Sequence, residues 1–497
     1  MESDFLKISN GVMVRRKDIP QLPFDRFCQT VLDFKGQIVQ FFAYMDSHCK
    51  LLIVLRNKNL FVAGCDVPEK YKALTLKSEK FHMFEREIAE QYAIEPVDHP
   101  WLKSVRYHQN YQQKPDCFGN DYQDDIPGVY PYYAIQGEEI HEVGVGPVHA
   151  GIIEPGHFRF NCIGEKVLHL EIQLGYQHRG VEPLLCKVPL KRLPIIVEGI
   201  AGDTTIANSI CYAQAAESLS AITVDRDTQI SRTIAMEIER IANHIGDLGA
   251  LSNDVAFLMP SAFYGRIRGD FLNMLLLLSG NRFGKGLIRP GGMYEPITED
   301  QRQILIKNVN ILRPQIEHVA DLLLNHPGVL SRFESTGYVA KETAENLGMV
   351  GVAGRASGIP YDVRHHFPTG FYQKLTIDPK IESTGDVFAR ANVRYREVLQ
   401  SLKIIETLLQ QPNRPKMSPR TIQFQPSAFV VTLNEAFRGE LSHCILTDHK
   451  GHILRYKVKD PSFHNWTGLE MALRGQEISD FPLCNKSFNL SYCGFDL

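Results

Sequence analysis

The stretch "EGIAGDTTIANSICYAQAAE", residues 198–217, ends as a packed helix and begins on a Gly–Asp–Thr–Thr turn. In "ISRTIAMEIERIANHIGDLGAL", Ile234, Ile238, Ile241, Ile245 and Leu248 form an apolar stripe. Glu237, Arg240 and His244 share a face that flanks it, so these ionisable groups lie near a buried contact and need partners. Two readings stand: a structural ion-pair network between helices, or a His244 or Arg240 that tunes a nearby redox centre.

"LGYQHRGVE" sets His178 and Arg179 before a glycine at a strand-to-helix turn, a position that suits function but equally suits a capped loop. Asp386, Arg390 and Arg394 recur every four residues, with Glu397 on the same face. That spacing predicts a solvated face of i,i+4 pairs worth ~0.2–0.5 kcal/mol each. "RPGG" at 289–292 and "GRASGIP" at 354–360 lack phosphate-binding spacing, so nucleotide binding is not supported. His365 and His366 are a poor metal pair, because adjacent residues on a regular element point different ways.

These residues need a scaffold, and 497 residues suffice for two or three domains. Hydrophobic content of 44% and charged content of 22% suit a soluble globular chain. A net charge of −3 argues against a nucleic-acid partner. The charged start "MESDFLKISNGVMVRRKD" does not read as a signal peptide. The longest apolar run, "FLNMLLLLSG" at 271–280, is half of the ~20 residues a membrane span needs. Among the ten cysteines no pair has the short spacing of a zinc or iron–sulfur motif, so they read as reduced thiols in packing roles.

Strands "KLLIVLR" and "NLFVAGCDV", and an amphipathic helix in "KFHMFEREIAEQYAI" with Phe84, Ile88 and Tyr92 on one face, give an α/β domain over 1–112. Residues 113–137 are polar and rich in turn formers, which predicts a linker. From 138 to 497 a short β region precedes helices over 204–410, and strands return in "FVVTLNE", "HCILTD" and "HILRYKVK". The fold class is α+β, an N-terminal α/β domain followed by a mainly helical one with small sheets at its ends.

"GPVHAG", "LGYQHRGVE", "EIERIANHIGDLG", "RPGG", "TGYVAKETAENLGMVGVAGRASGIPYDVR" and "GDVFARANVRYREVLQSLKII" occur in the order seen in the D-type subunit of respiratory complex I. The same order resembles the large subunit of membrane-bound, energy-converting nickel–iron hydrogenases. "FEREIAEQYAIEPVDHPWLKSVRY" is similar to the C-type subunit of complex I, and the fused C–D arrangement to the large subunit of formate hydrogenlyase. In nickel–iron hydrogenases the segment matching 198–209 supplies Cys-x-x-Cys followed by His; here the matching residues are Ala201, Thr204 and Asn208. The second cysteine pair falls on "KDPSFHNW", at Ser462 and Asn465. Soft thiolates hold nickel and low-valent iron, and Ala, Ser, Thr and Asn do not replace them. The quinone-pairing His and Tyr of complex I fall near Ile153 and Gly202, which weighs against ordinary ubiquinone reduction.

The resemblance thus implies an oxidoreductase subunit with no metal and no cofactor of its own. It implies a peripheral place on the inner, cytoplasmic face of the cell membrane. The expected partners are a small B-type subunit carrying a 4Fe–4S cluster, and membrane subunits of the H-type and antiporter-like type. Arg179 and His244 are expected beside that cluster. His149, Glu154, His157, Asp203, Thr204, Asn208, Ser462 and Asn465 would line the emptied cavity, where Asp203 and Glu154 relay protons or the pocket holds an electron acceptor. The competing reading is a non-catalytic structural subunit.

Overall fold

The computed structural model describes residues 2–112, 115–119, 130–151, 153–411 and 422–497. The expected linker, 113–137, lies partly outside the described residues. The N-terminal part is a sheet in the order Leu6–Ile8, Leu60–Asp66, Cys49–Arg56, Gln37–Met45. Its ladders are antiparallel except for Gln21–Leu22, which runs parallel to Leu60–Asp66. Alternation fails in the inner strands because both faces are covered: Leu51 to Arg56 and Leu60 to Cys65 are all buried.

The helix His82–Tyr92 buries Phe84, Ile88 and Tyr92 as expected, but every residue from Met83 to Tyr92 is buried with them. Its polar face meets the C-terminal part of the chain. There Glu87 pairs with Lys457 at 2.8 Å and with Arg106. Glu90 accepts from the backbone N–H groups of Val105, Arg106 and Tyr107.

A second antiparallel sheet joins Ile140–Val145, His157–Ile163 and Lys166–Gln173. The third runs Ile453–Lys459, Gly439–Thr447, Ala428–Ala436, and its outer strand is Val14–Arg15 from the N-terminus. Phe42, Val54 and Val62 of the first sheet share one core with Phe429, Val431 and Leu446 of the third. Arg56 adds a buried ion pair to Glu440 at 2.9 Å, and Lys459 meets the same carboxylate at 2.8 Å. The N-terminal and C-terminal parts are one packed body along this seam.

In the chain between the second and third sheets come the long helices Arg226–Asp254, Leu258–Ser279, Glu299–Leu324 and Val387–Leu409, which pack on one another. Asp225 and Asp386 cap two of them, and Thr298 with Gln301 forms a capping box on a third. The tail folds back as Ser462–Leu473, Phe481–Phe488 and Tyr492–Asp496. Among the described residues no helix is long and apolar enough to cross a membrane.

The Asp386–Glu397 face departs from expectation. Asp386, Arg390, Arg394 and Glu397 are all buried and bond outward from their helix rather than to each other's side chains. Arg390 donates to the Gly337 and Gly385 carbonyls and to Ser487, Arg394 pairs with Asp247 at 2.8 Å, and Glu397 meets Arg355 at 2.7 Å. The helix is wrapped on this side by the 335–357 segment and the tail, which spacing alone does not reveal.

Candidate functional site

The helix Thr205–Leu219 begins where the sequence singles out its Gly–Asp–Thr–Thr turn. Its first N–H groups are not capped from within. Glu239, on the long helix Arg226–Asp254, accepts from Ile206 N at 2.6 Å and Ala207 N at 3.1 Å. A carboxyl suits the positive end of a helix, yet burial pushes Glu239 up to about 8. Asn243 holds the turn from the same helix by donating to the Asp203 carbonyl at 2.9 Å.

Asp203 faces Arg438, which donates to its two oxygens at 2.9 and 2.7 Å. Burial opposes ionisation of Asp203, but the Arg438 charge and its hydrogen bonds prevail and hold the carboxyl below its usual range. Thr204 donates to Asp203 at 2.9 Å, and Arg438 also reaches the Thr204 hydroxyl. Arg438 lies over the Phe437 ring and donates to the Asn489 carbonyl, which ties the turn to the tail. Asn208 donates to the Thr204 carbonyl at 2.8 Å and lies 3.1 Å from His443, whose other nitrogen meets Tyr456. Burial lowers His443 to about 3, so the ring is neutral.

Of the four places matching metal thiolates, Ala201 is fully buried and apolar. The polar atoms of the other three are engaged within the chain. Thr204 belongs to the Asp203–Arg438 cluster, and Ser462 Oγ accepts from Ser491 N at 2.8 Å. Asn465 clasps Val350, accepting from its N–H at 3.1 Å and donating to its carbonyl at 3.0 Å. This donor set does not fit a nickel–iron centre. Among the described residues no group of three or more His, Cys, Asp or Glu is arranged to hold a metal ion. His365 and His366 each bond a backbone carbonyl, of Ile377 and Asp362.

The remaining expected residues are engaged with the backbone around them. His149 bonds the Gly156 carbonyl at 2.9 Å and His157 the Gly146 carbonyl at 3.1 Å, so both brace the 146–157 loop. Burial lowers the His157 pKa. Glu154 reaches the site through Cys493 N at 3.5 Å, and Ile153 is 56% exposed. Gly202 is exposed, with open space where a Cβ would stand.

Arg179 is exposed and clamps two loops: it donates to the carbonyls of Gly199 and Ile200 at 2.6 and 2.8 Å and to that of Cys493 at 3.3 Å. His244 is fully buried, its Nε2 3.0 Å from Glu397. It sits in a network with Glu237, Arg240, Arg355 and Glu435, and burial depresses its pKa. "RPGG" is structural here: Glu217 accepts from Gly291 N at 2.7 Å and pairs with Arg232, which donates to the Arg289 and Gly292 carbonyls.

Sequence reasoning missed Arg438, Glu239 and Asp496. Arg438 lies in the turn of "NEAFRGELSH" between two strands, an Arg–Gly signal like that of Arg179. Asp496 accepts from Gly175 N and Gln177 N at 2.8 and 2.7 Å, and burial pushes it up to about 7. No local pattern marks it; only the folded-back tail brings it there.

The family model for the respiratory-chain NADH dehydrogenase 49 kDa subunit matches residues 254–426 and 417–496. The NADH-quinone oxidoreductase subunit 4 of Thermus thermophilus is 30% identical over 69% of this chain and 90% of its own length. The carbon monoxide-induced hydrogenase of Rhodospirillum rubrum is 29% identical over 70% of this chain and 97% of its own length. Formate hydrogenlyase subunit 5 of Escherichia coli is 27% identical over 82% of this chain and 74% of its own length.

Proposed function

From the premise that this chain belongs to the family of the 49 kDa subunit of respiratory-chain NADH dehydrogenase, we propose that it is the corresponding peripheral subunit of a complex I-like, energy-converting membrane oxidoreductase. The relatives are oxidoreductase and hydrogenase subunits. The observation that carries the reading is the Arg179 clamp. It joins the loop before Ala201 to the tail at Cys493, so the frame of a redox site persists although its metal ligands do not.

In this reading a small B-type subunit docks its 4Fe–4S cluster on that frame, and H-type and antiporter-like membrane subunits hold the assembly on the inner face of the cell membrane. Arg179 sits in the outer shell of that cluster and raises its reduction potential by its charge. His244, neutral and buried, acts on it only through Glu397. Asp203 is held ionised by Arg438 and is a poor proton carrier at neutral pH. Asp496, raised to about 7, is better suited to take up a proton when the cluster is reduced, and Glu239, raised to about 8 and so largely protonated, to pass one on. Electron transfer is thereby coupled to ion movement with no nickel–iron centre.

A non-catalytic structural subunit is the second reading. It is favoured by the internal hydrogen bonds of Thr204, Ser462 and Asn465, and opposed by the open space at Gly202. Purification of the intact assembly separates them. Stoichiometric co-purification of an iron–sulfur subunit, with turnover that falls in Glu239→Gln and Asp496→Asn while assembly persists, supports the catalytic reading. Intact assembly with unchanged turnover in both variants leaves the structural one. A stable monomer without an iron-bearing partner overturns both.

A further inference from the structure

A cavity of about 550 Å³ lies between the helix His82–Tyr92, the strand Lys166–Gln173 and the helix Ser462–Leu473, apart from the emptied loop. Its size falls within the ~300–1,000 Å³ of small-molecule sites. The chain has two tryptophans, and both line this cavity: Trp101 and Trp466. Tyr130 and His169 join them. These ring faces and edges suit a flat aromatic ligand.

The polar groups define the other end of that ligand. Trp466 is 3% exposed, and its indole N–H has no hydrogen-bond partner among the described residues. That nitrogen is itself enclosed, so Trp466 meets the cavity with the rest of its ring. Arg86, 7% exposed, donates to the carbonyls of Lys103 and Ser104 at 2.8 and 3.1 Å and to the Tyr130 hydroxyl. Its remaining terminal nitrogen meets, among the described residues, the Met83 sulfur at 3.4 Å. No carboxylate lies within ion-pair distance of Arg86 among the described residues, as is also true of the buried Arg390, whereas the buried guanidiniums of Arg106, Arg355 and Arg455 each have one.

The carboxylates lining the cavity are otherwise disposed. Glu171 pairs with Lys103 and accepts from Tyr133 N. Glu470 accepts from Ile172 N at 2.9 Å, and burial pushes it up to about 7, so its other oxygen carries a proton for much of the time at neutral pH. Glu79 and Glu342 are exposed, where salt screens them. The cavity therefore offers two guanidiniums without an ion pair among the described residues, Arg86 in its interior and Arg474 at its exposed edge.

We propose that this cavity is a binding site for a planar aromatic carboxylate, held by Arg86 and packed against the Trp101 and Trp466 rings. The inference does not depend on the redox reading of the emptied loop, which uses none of these residues.

Isothermal titration of the full-length chain with 2-naphthoate and with 2-naphthamide, its uncharged counterpart, tests it. The expected result is single-site saturation by 2-naphthoate, at least about tenfold tighter than the amide, as a charge-assisted hydrogen bond requires. Arg86→Gln should abolish the preference for the acid. Trp101→Ala removes a ring face from the cavity and should weaken acid and amide alike, by several-fold. Should Arg86→Gln fail to fold, Trp101→Ala and the acid-to-amide ratio decide alone. No saturable binding in the millimolar range, equal affinity for acid and amide, or unchanged affinity in the folded variants overturns the proposal.

Discussion

Arg438 and Asp203 meet through two parallel hydrogen bonds, 2.9 and 2.7 Å long, at the turn that opens the helix Thr205–Leu219. The two sides of this pair are unequal: the Arg438 side chain is 6% exposed and that of Asp203 33%. Removing the acid strands a buried cation, whereas removing the base leaves an anion that water reaches. Asp203→Asn is therefore expected to destabilise more than Arg438→Met. It should approach the lower end of the ~3–5 kcal/mol seen when one partner of a buried pair is removed, and Arg438→Met should fall below that range. The Asp203 pKa is depressed in the folded chain. Its contribution is thus present above the usual carboxylate range and lost as pH falls through the folded value. Urea titrations at pH 7 and in acid check both points; equal losses at pH 7 would contradict the asymmetry.

The seam between the ends of the chain predicts one cooperative unit. Arg56 reaches Glu440, Glu87 reaches Lys457, and Val14–Arg15 pairs with Ala428–Ala436. A fragment of residues 1–112 would leave Arg56 without its carboxylate and Phe42 without its partners, and should not fold alone. Circular dichroism and calorimetry decide this: a cooperative transition in the isolated fragment would show that the seam is dispensable.

What the sequence disclosed, and what it hid, follows from the range of each signal. The strands Cys49–Arg56 and Leu60–Asp66 were legible because their apolar runs and the Asn57–Asn59 turn are local. The stripe of the helix Arg226–Asp254 was legible for the same reason, and so was the linkage of Glu237, Arg240 and His244. The partners of those charges were not. Glu397 reaches His244 across 153 residues and Glu435 reaches Arg355 across 80, distances over which no periodicity speaks. Arg438 stayed hidden because its carboxylate lies 235 residues away. The turn at Asp203 was visible as a site, while the ion pair that fills it was not.

Glu470 gives a pH prediction with a definite sign. Its folded pKa is raised to about 7, with burial the first cause. A carboxyl raised in the folded state favours folding below its unfolded value of ~4.3, and that stability is lost as pH rises toward the folded value. Arg86, Arg474 and Glu171 line the same cavity and set the local field. Glu470→Gln keeps the acceptor for Ile172 N and removes the titration. It should match the parent near pH 4.5 and exceed it above pH 7 by on the order of 1 kcal/mol, reduced because the cavity admits water. Thermal unfolding across that range is the measurement, and parallel profiles would refute the assignment.

Elemental analysis bears on the thiolate places. With Ala201, Thr204, Ser462 and Asn465 there, and their polar atoms bonded inside the chain, nickel should be substoichiometric in the purified assembly, while iron follows the partner subunit. Nickel near one per chain in active protein would overturn the reading of an emptied loop.

Arg179 and His244 separate once their surroundings are compared. Arg179 is exposed and spends hydrogen bonds on the Gly199, Ile200 and Cys493 carbonyls. His244 is fully buried and held neutral, with Glu397 at 3.0 Å. If a partner's 4Fe–4S cluster docks on the Arg179 clamp, Arg179→Ala removes a positive charge beside it and should lower its midpoint potential, whereas Arg179→Lys should retain most of it. His244→Met removes no charge at neutral pH and leaves the Glu397–Arg355 pair in place. It should shift the potential less and leave the pH dependence of the midpoint as in the parent, because the buried ring does not titrate in that range. Redox titration of the cluster's electron paramagnetic resonance signal in assembled variants reads both effects. A clamp that only holds loops together predicts instead that Arg179→Ala impairs assembly and leaves the midpoint of the surviving cluster where it was.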